Sequence, residues 1–244
     1  MDWKGKLPHR LWIVINIAAV GIVIASFMMI LSPVSFVLAD GINPYVYSKD
    51  DKPYGLTYAQ WTANFWKWVI SIPQQNNPNN DPTGEKCAIN QNDPNVWYLA
   101  PTFGGAAERT CTIPKEKAIL FPLLAGECNY LENPELKTES DLRTCAMQSN
   151  DQGSRSMDVT IDGVKLKNLE NYRVQFGLFD VTFPENNIFS VKPGNTKVVS
   201  DGFWVFLKPL AVGKHELEFS ASIIDPSGVN DYNTHIKDHL IVTP

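Results

Sequence analysis

Three histidines near the C-terminus are the first residues whose type and spacing could do chemistry. His235 and His239 form H-x-x-x-H, which on a helix would set two imidazoles on one face for zinc, with His215 as a third ligand. The segment runs into Leu240-Ile241-Val242-Thr243, however, and reads as a strand, in which four residues span roughly 13 Å. Two nitrogens on one metal lie about 3 to 3.5 Å apart. His215 shares the inward parity of its strand, whereas His235 and His239 share the outward parity of theirs. No metal site and no cofactor is therefore expected.

Trp61, Trp66, Trp68, Trp97 and Trp204 offer flat faces that could stack on a ligand ring, although most buried tryptophans fill core. Trp66 lies off the main apolar face of its helix, and it and Trp97 are the candidate ligand-binding residues. Oxygen donors alternate along Asn77, Asn79, Asp81 and Thr83 and end at Glu85, faintly like a calcium loop, but the glycine of the EF-hand turn is missing and the stretch reads as a solvated loop. Glu127, Glu132 and Glu135 could do acid–base work, but nothing in the sequence fixes their separation. G-x-S-x-G, H-E-x-x-H, a Gly-rich phosphate loop and a Cys–His pair are all absent, and no catalytic residue is assigned.

Four cysteines, Cys87, Cys111, Cys128 and Cys145, fall in one part of the chain. A zinc site wants partners about two to four residues apart, and no two of these are that close. In an oxidising compartment they form two disulfides, for which three pairings exist. Nearest-neighbour pairing, Cys87 with Cys111 and Cys128 with Cys145, is preferred because it closes modest loops, each stabilising by about 3 kcal/mol in the chain-entropy picture.

The elements that must position these residues begin with a helix. Thr57-Tyr58-Ala59-Gln60 is a capping box, and the helix it opens runs to about Ile72 before Pro73. Tyr58, Trp61, Phe65, Trp68, Val69 and Ile72 recur at helical spacing as one aromatic face. Residues 73–95 read as a long polar surface loop. Strands are expected at 96–103, 110–113 and 118–124, and a second, short helix from Thr138. Asp162-Gly163 is a tight hairpin turn between Val159-Thr160-Ile161 and Val164-Lys165-Leu166, and further strands follow at 172–183, 197–208, 214–224 and 233–243. Short alternating strands with regular turns predict a mainly β fold: an antiparallel β-sandwich, immunoglobulin-like or jelly-roll-like, with the aromatic helix packed on it. Phe203 to Leu207 is apolar on both faces, so that strand needs a second cover, for which the aromatic helix is the natural candidate.

The N-terminus decides the compartment. Lys4, Lys6 and Arg10 precede a stretch, Leu11 to Ala39, that has no charged residue, and a basic flank of this kind stays on the cytoplasmic side. The apolar run 11–31 is long enough to span a bilayer, which points to a retained anchor and a membrane partner. Ser32-Pro33 and Val37-Leu38-Ala39 point instead to cleavage before Asp40. Both readings stand, and both place the remainder outside. The domain organisation is thus 1–39 signal peptide or anchor, 40–56 lead-in, and 57–244 extracytoplasmic domain. The whole chain carries a net charge of −5 and residues 40–244, with 18 basic and 25 acidic side chains, carry −7; an acidic surface excludes nucleic acid as a partner.

Three stretches together, Tyr58 to Pro73, Val96 to Pro122 and Asp201 to Phe219, resemble a family of exported prokaryotic proteins of unassigned function, over about residues 54–243. The closing G-K-H-E-L-E-F with its D-P-S-G turn is also similar to the last strands of immunoglobulin-like modules in bacterial surface proteins. Neither resemblance brings an activity. The expectation is a non-enzymatic binding or structural module of the cell envelope, its partner an envelope protein or polysaccharide. An enzyme or carbohydrate-binding protein acting on extracellular polymer, and a metal-binding protein using His215, His235 and His239, are the alternatives.

Overall fold

A computed structural model describes residues 43–228 and 231–244. The apolar segment 11–31 and the Val37-Leu38-Ala39 site lie outside them. No helix among the described residues is long and apolar enough to cross a membrane.

Helix α1 spans Tyr58–Ile70. Its start is fixed as the capping box requires: the Thr57 amide donates to Gln60 Oε1 at 2.8 Å, and the Gln60 amide donates to Thr57 Oγ1 at 3.2 Å. Its far end is closed by Asn77, fully buried, whose amide donates to the carbonyls of Val69 and Ile72 at 2.8 and 3.0 Å. The polar stretch after α1 runs mostly at the surface, as expected, but it buries Asn77 and Asp81. It contributes the groups that satisfy the helix C-terminus, which would otherwise be left with bare carbonyls.

Among the described residues nine strands follow: β1 Val96–Tyr98, β2 Gly105–Pro114, β3 Ala118–Asn129, β4 Ser154–Ile161, β5 Val164–Lys165, β6 Arg173–Phe183, β7 Gly194–Leu207, β8 Gly213–Ile224 and β9 Tyr232–Thr243. Helix α2, Glu139–Asp151, stands between β3 and β4 and opens on a second capping box, Thr138 with Asp141. The strands form a four-stranded sheet in the order β1-β3-β7-β6 and a five-stranded sheet in the order β2-β9-β8-β4-β5. Neither sheet is purely antiparallel, which corrects the expectation. β1 runs parallel to β3, and β2 parallel to β9. The physical reason is connectivity. The chain leaves β1 for β2 in the other sheet before returning to β3, so β1 and β3 are joined by a crossover rather than a hairpin, and a crossover allows parallel pairing.

The two sheets share one core. Phe121 of β3 meets Phe219 of β8 with ring centroids 4.8 Å apart, and Val159, Phe203, Val205, Leu217, Ile236 and Leu240 pack in the same cluster. The other face of the four-stranded sheet is covered by α1. Alternation along β7 sends Phe203, Val205 and Leu207 toward the second sheet and Trp204 and Phe206 toward the helix, where Phe65 stands edge-on to Trp204 at 5.1 Å and Trp61 to Phe206 at 5.9 Å. Burying aromatic side chains of this size contributes about 1.5 to 3 kcal/mol each, which explains why the aromatic face is so rich. The lead-in also belongs to this packing: Val46 is buried against Leu207 and the Tyr47 ring lies 5.2 Å from Phe206.

Two disulfides, Cys87–Cys111 and Cys128–Cys145, follow the nearest-neighbour pairing, and no described cysteine is free. The first ties the segment after α1 to β2, the second ties α2 to β3. A disulfide-bonded pair of this kind fits an oxidising, extracytoplasmic compartment.

Candidate functional site: an apolar cavity between the helices and the sheets

Trp66 occupies the flank of α1 beside its main face. Rather than standing in solvent it is 8% exposed, edge-on to both Phe65 and Trp204. With Phe65 and Val69 it forms one wall of a cavity of about 220 Å³. The opposing walls come from distant segments: Pro101 to Phe103 between β1 and β2, Pro122 to Gly126 of β3, Ser149 and Asn150 at the end of α2, Ile188 and Phe189 between β6 and β7, Ile223 of β8 and Tyr232 of β9. Phe103, 56% exposed and edge-on to Phe189 at 6.0 Å, forms part of the rim.

Local sequence explains how β3 and α2 come together here. Pro122 interrupts the ladder and the register to β7 shifts between Pro122 and Leu124, so the strand bends away at the cavity. At Gly126 a Cβ atom would meet Ser149 Oγ at 2.0 Å, so the glycine is what lets α2 approach β3. The Cys128–Cys145 disulfide holds that approach one turn of helix further back.

Among the described residues the lining carries no charged side chain. Its polar groups are largely engaged within the protein: Ser149 Oγ donates to the Ala146 carbonyl at 2.7 Å, Asn150 Nδ2 to the Asp201 carbonyl at 2.8 Å, the Tyr232 hydroxyl to the Thr102 carbonyl at 3.0 Å, and Asn79 Nδ2 to the Pro101 carbonyl at 3.0 Å. Trp66 Nε1 and Asn79 Oδ1 are buried without a hydrogen-bond partner. The arrangement can take up an apolar molecule. None of its described lining residues is a His, Cys, Asp, Glu, Lys or Arg.

The other sequence candidates separate from this cavity. Trp97, 5% exposed, packs in the core between the sheets with Lys117 Nζ 5.7 Å from its ring centre, and does not line the cavity. The three histidines contact three different carboxylates: His215 with Asp162 at 2.7 Å, His235 with Glu218 at 2.7 Å and His239 with Glu108 at 2.8 Å. Burial pulls the His215 imidazole toward neutrality, but hydrogen bonds to Asp162 and the Ala211 carbonyl outweigh it and raise its pKa. Among the described residues no group of three or more metal-ligating side chains converges. In the would-be calcium loop the Asp81 carboxylate is buried and accepts from the amides of Thr83, Gly84 and Lys86, so it serves its own backbone.

Glu127 and Glu132 do come together, both accepting from the amide of fully buried Asn129, while Glu135 is exposed. Burial, and then the adjoining Glu132 carboxylate, push the Glu127 carboxyl well above the usual range. Two carboxyls in hydrogen-bond contact leave no room for the bond that a glycosidase pair straddles at about 5 Å or more, so this pair is not placed for glycoside cleavage.

Sequence reasoning reached Trp66 and missed the rest of the cavity. Gly126 and the interrupting Pro122 were the available signals, because a proline inside a long strand marks a bulge.

Fold and cavity together define a class: a disulfide-bonded, two-sheet β protein with an aromatic helix and an uncharged cavity. No family model matches the chain, and no curated protein is significantly similar to it. Among solved structures, the Plasmodium falciparum protein Pf12p is similar over 59% of this chain and 43% of that chain, at 11% identity and a TM-score of 0.23. A likeness at that level carries no argument about fold or function.

Proposed function

We propose that the protein is an extracytoplasmic binding module that takes a small apolar molecule into the cavity beside Trp66. The observation that carries this is a cavity of about 220 Å³ lined mainly by apolar and aromatic side chains, with Asn79, Thr102, Ser149, Asn150 and Gln152 as neutral polar ones. Export rests on the basic flank and uncharged run at the N-terminus, in keeping with two disulfides in the folded part. The protein thereby joins the exported prokaryotic proteins it resembles, and its two-sheet body is read as an immunoglobulin-like or jelly-roll-like sandwich carrying two helices. A polysaccharide partner is disfavoured at this cavity, since a sugar needs free donors and acceptors and most of those in the wall are engaged.

Indole is a suitable first probe. A ligand that binds only the folded state stabilises it in proportion to the logarithm of its concentration. Indole is expected to raise the melting temperature of the full chain progressively, and Val69→Phe, which adds ring volume to the wall, to abolish the response. No shift at any concentration of indole would remove the binding reading.

A further inference from the structure

The cavity's own chemistry narrows what it binds, and this step rests on the binding reading above. We infer that its ligand is an uncharged, compact aromatic molecule of about two fused rings, and neither an anion nor a long alkyl chain. Three observations lead there. Phe65, Trp66, Phe103, Phe189 and Tyr232 all face onto the same space, so ring edges and faces make up much of the wall and favour an aromatic guest held by offset or edge-on contacts. The volume, about 220 Å³, exceeds the roughly 150 Å³ of a cavity that holds benzene, which leaves room for a second ring but not for a long chain.

The third observation is electrostatic. Among the described residues no side chain of the lining bears a charge. The nearby ion pairs are internally matched: Arg173 is engaged by Asp201 at 2.7 Å and by Asp151 at 2.7 Å, outside the wall. A carboxylate or ammonium entering the cavity would leave water with no counter-charge to meet it, a cost that binding at this size cannot recover. The two orphaned polar atoms of the wall, Trp66 Nε1 and Asn79 Oδ1, are themselves buried, so selection rests on shape, ring contacts and neutrality rather than on a directed hydrogen bond.

The test is equilibrium dialysis of the full chain against three probes: 2-naphthol, neutral at pH 7; 2-naphthoate, of nearly the same shape but anionic; and dodecanol, neutral but linear. The expected result is binding of 2-naphthol at least about tenfold tighter than either of the others. Val69→Phe on α1 should weaken it at least as much, and Ile223→Phe on β8 serves the same purpose if the first variant does not fold. Equal binding of 2-naphthoate, or preference for dodecanol, would overturn this inference while leaving an apolar binding site in place. Unchanged 2-naphthol binding in both folded variants would move the site elsewhere and overturn it too. Failure of all three probes while indole still stabilises the chain would overturn this inference alone, whereas loss of the indole response removes the binding reading with it.

Discussion

Asp238 invites the sharpest test of the structure's energetics. It belongs to the inward set of β9, is fully buried, and neither carboxylate oxygen has a hydrogen-bond partner. Its neighbour across the parallel pair β2–β9 is Arg109, also buried, whose guanidinium donates to backbone carbonyls, among them that of Asp81 at 2.6 Å. Burial pushes the Asp238 carboxyl up to about 6, against the opposing pull of Arg109 and His239 and with a small further push from Asp81. A shift of about two units above the ordinary aspartate value corresponds to about 3 kcal/mol. The sign follows from proton counting: between the two pKa values the folded state holds the proton and the unfolded state has lost it, so this contribution is present below the ordinary value and is lost as pH rises through about 6. Carboxylates such as Asp151, held low by Arg173, act in the opposite direction, so only a difference isolates Asp238. Asp238→Asn cannot titrate. Urea unfolding of both proteins from about pH 3 to about pH 8 should show the variant gaining about 3 kcal/mol relative to the parent as pH rises. Parallel curves would refute the reasoning. A difference of opposite sign would show that Arg109 dominates burial.

Three further outcomes are expected. Gly126→Ala should destabilise by about 1 to 3 kcal/mol in urea unfolding, because the new methyl meets Ser149 Oγ, and Ser149→Gly in the same chain should restore most of the loss. Asn77→Ala should cost about 1 to 3 kcal/mol by removing the buried side-chain hydrogen bonds to the Val69 and Ile72 carbonyls at the end of α1, whereas Asn80→Ala, at an exposed position of the same segment, should be nearly neutral. Non-reducing peptide mapping should find Cys87 joined to Cys111 and Cys128 to Cys145, and four free thiols in the protein from its own cells would contradict the assigned compartment.

What the sequence made legible were the features fixed by near neighbours. The Thr57–Gln60 box marks the start of α1, Asp162-Gly163 adopts the positive φ its turn needs, at 50° and 75°, and Leu217, Phe219, Ala221 and Ile223 alternate inward as their strand requires. Apolar residues on both faces of Phe203 to Leu207 gave the two-sided burial of β7 and the helix that covers it. Strand direction was not legible, because alternation along β1 or β2 is the same whichever way its partner runs. Burial of Asn77 and Asp81 was missed because polar residues read as solvated, whereas here their side chains satisfy backbone groups. The cavity is built from segments as far apart as Phe65 and Tyr232, and its signals in the sequence were the offset of Trp66 from its helix face, Pro122 inside a strand, and Gly126.

Amide and indole NMR of the full chain during titration with 2-naphthol tests the central claim most directly. The account predicts shifts at the Trp66 indole and at Thr102, Phe103, Ala125, Gly126 and Asn150, with the Trp97 indole unmoved. Shifts centred on Trp97, or no saturable shift at all, would contradict it.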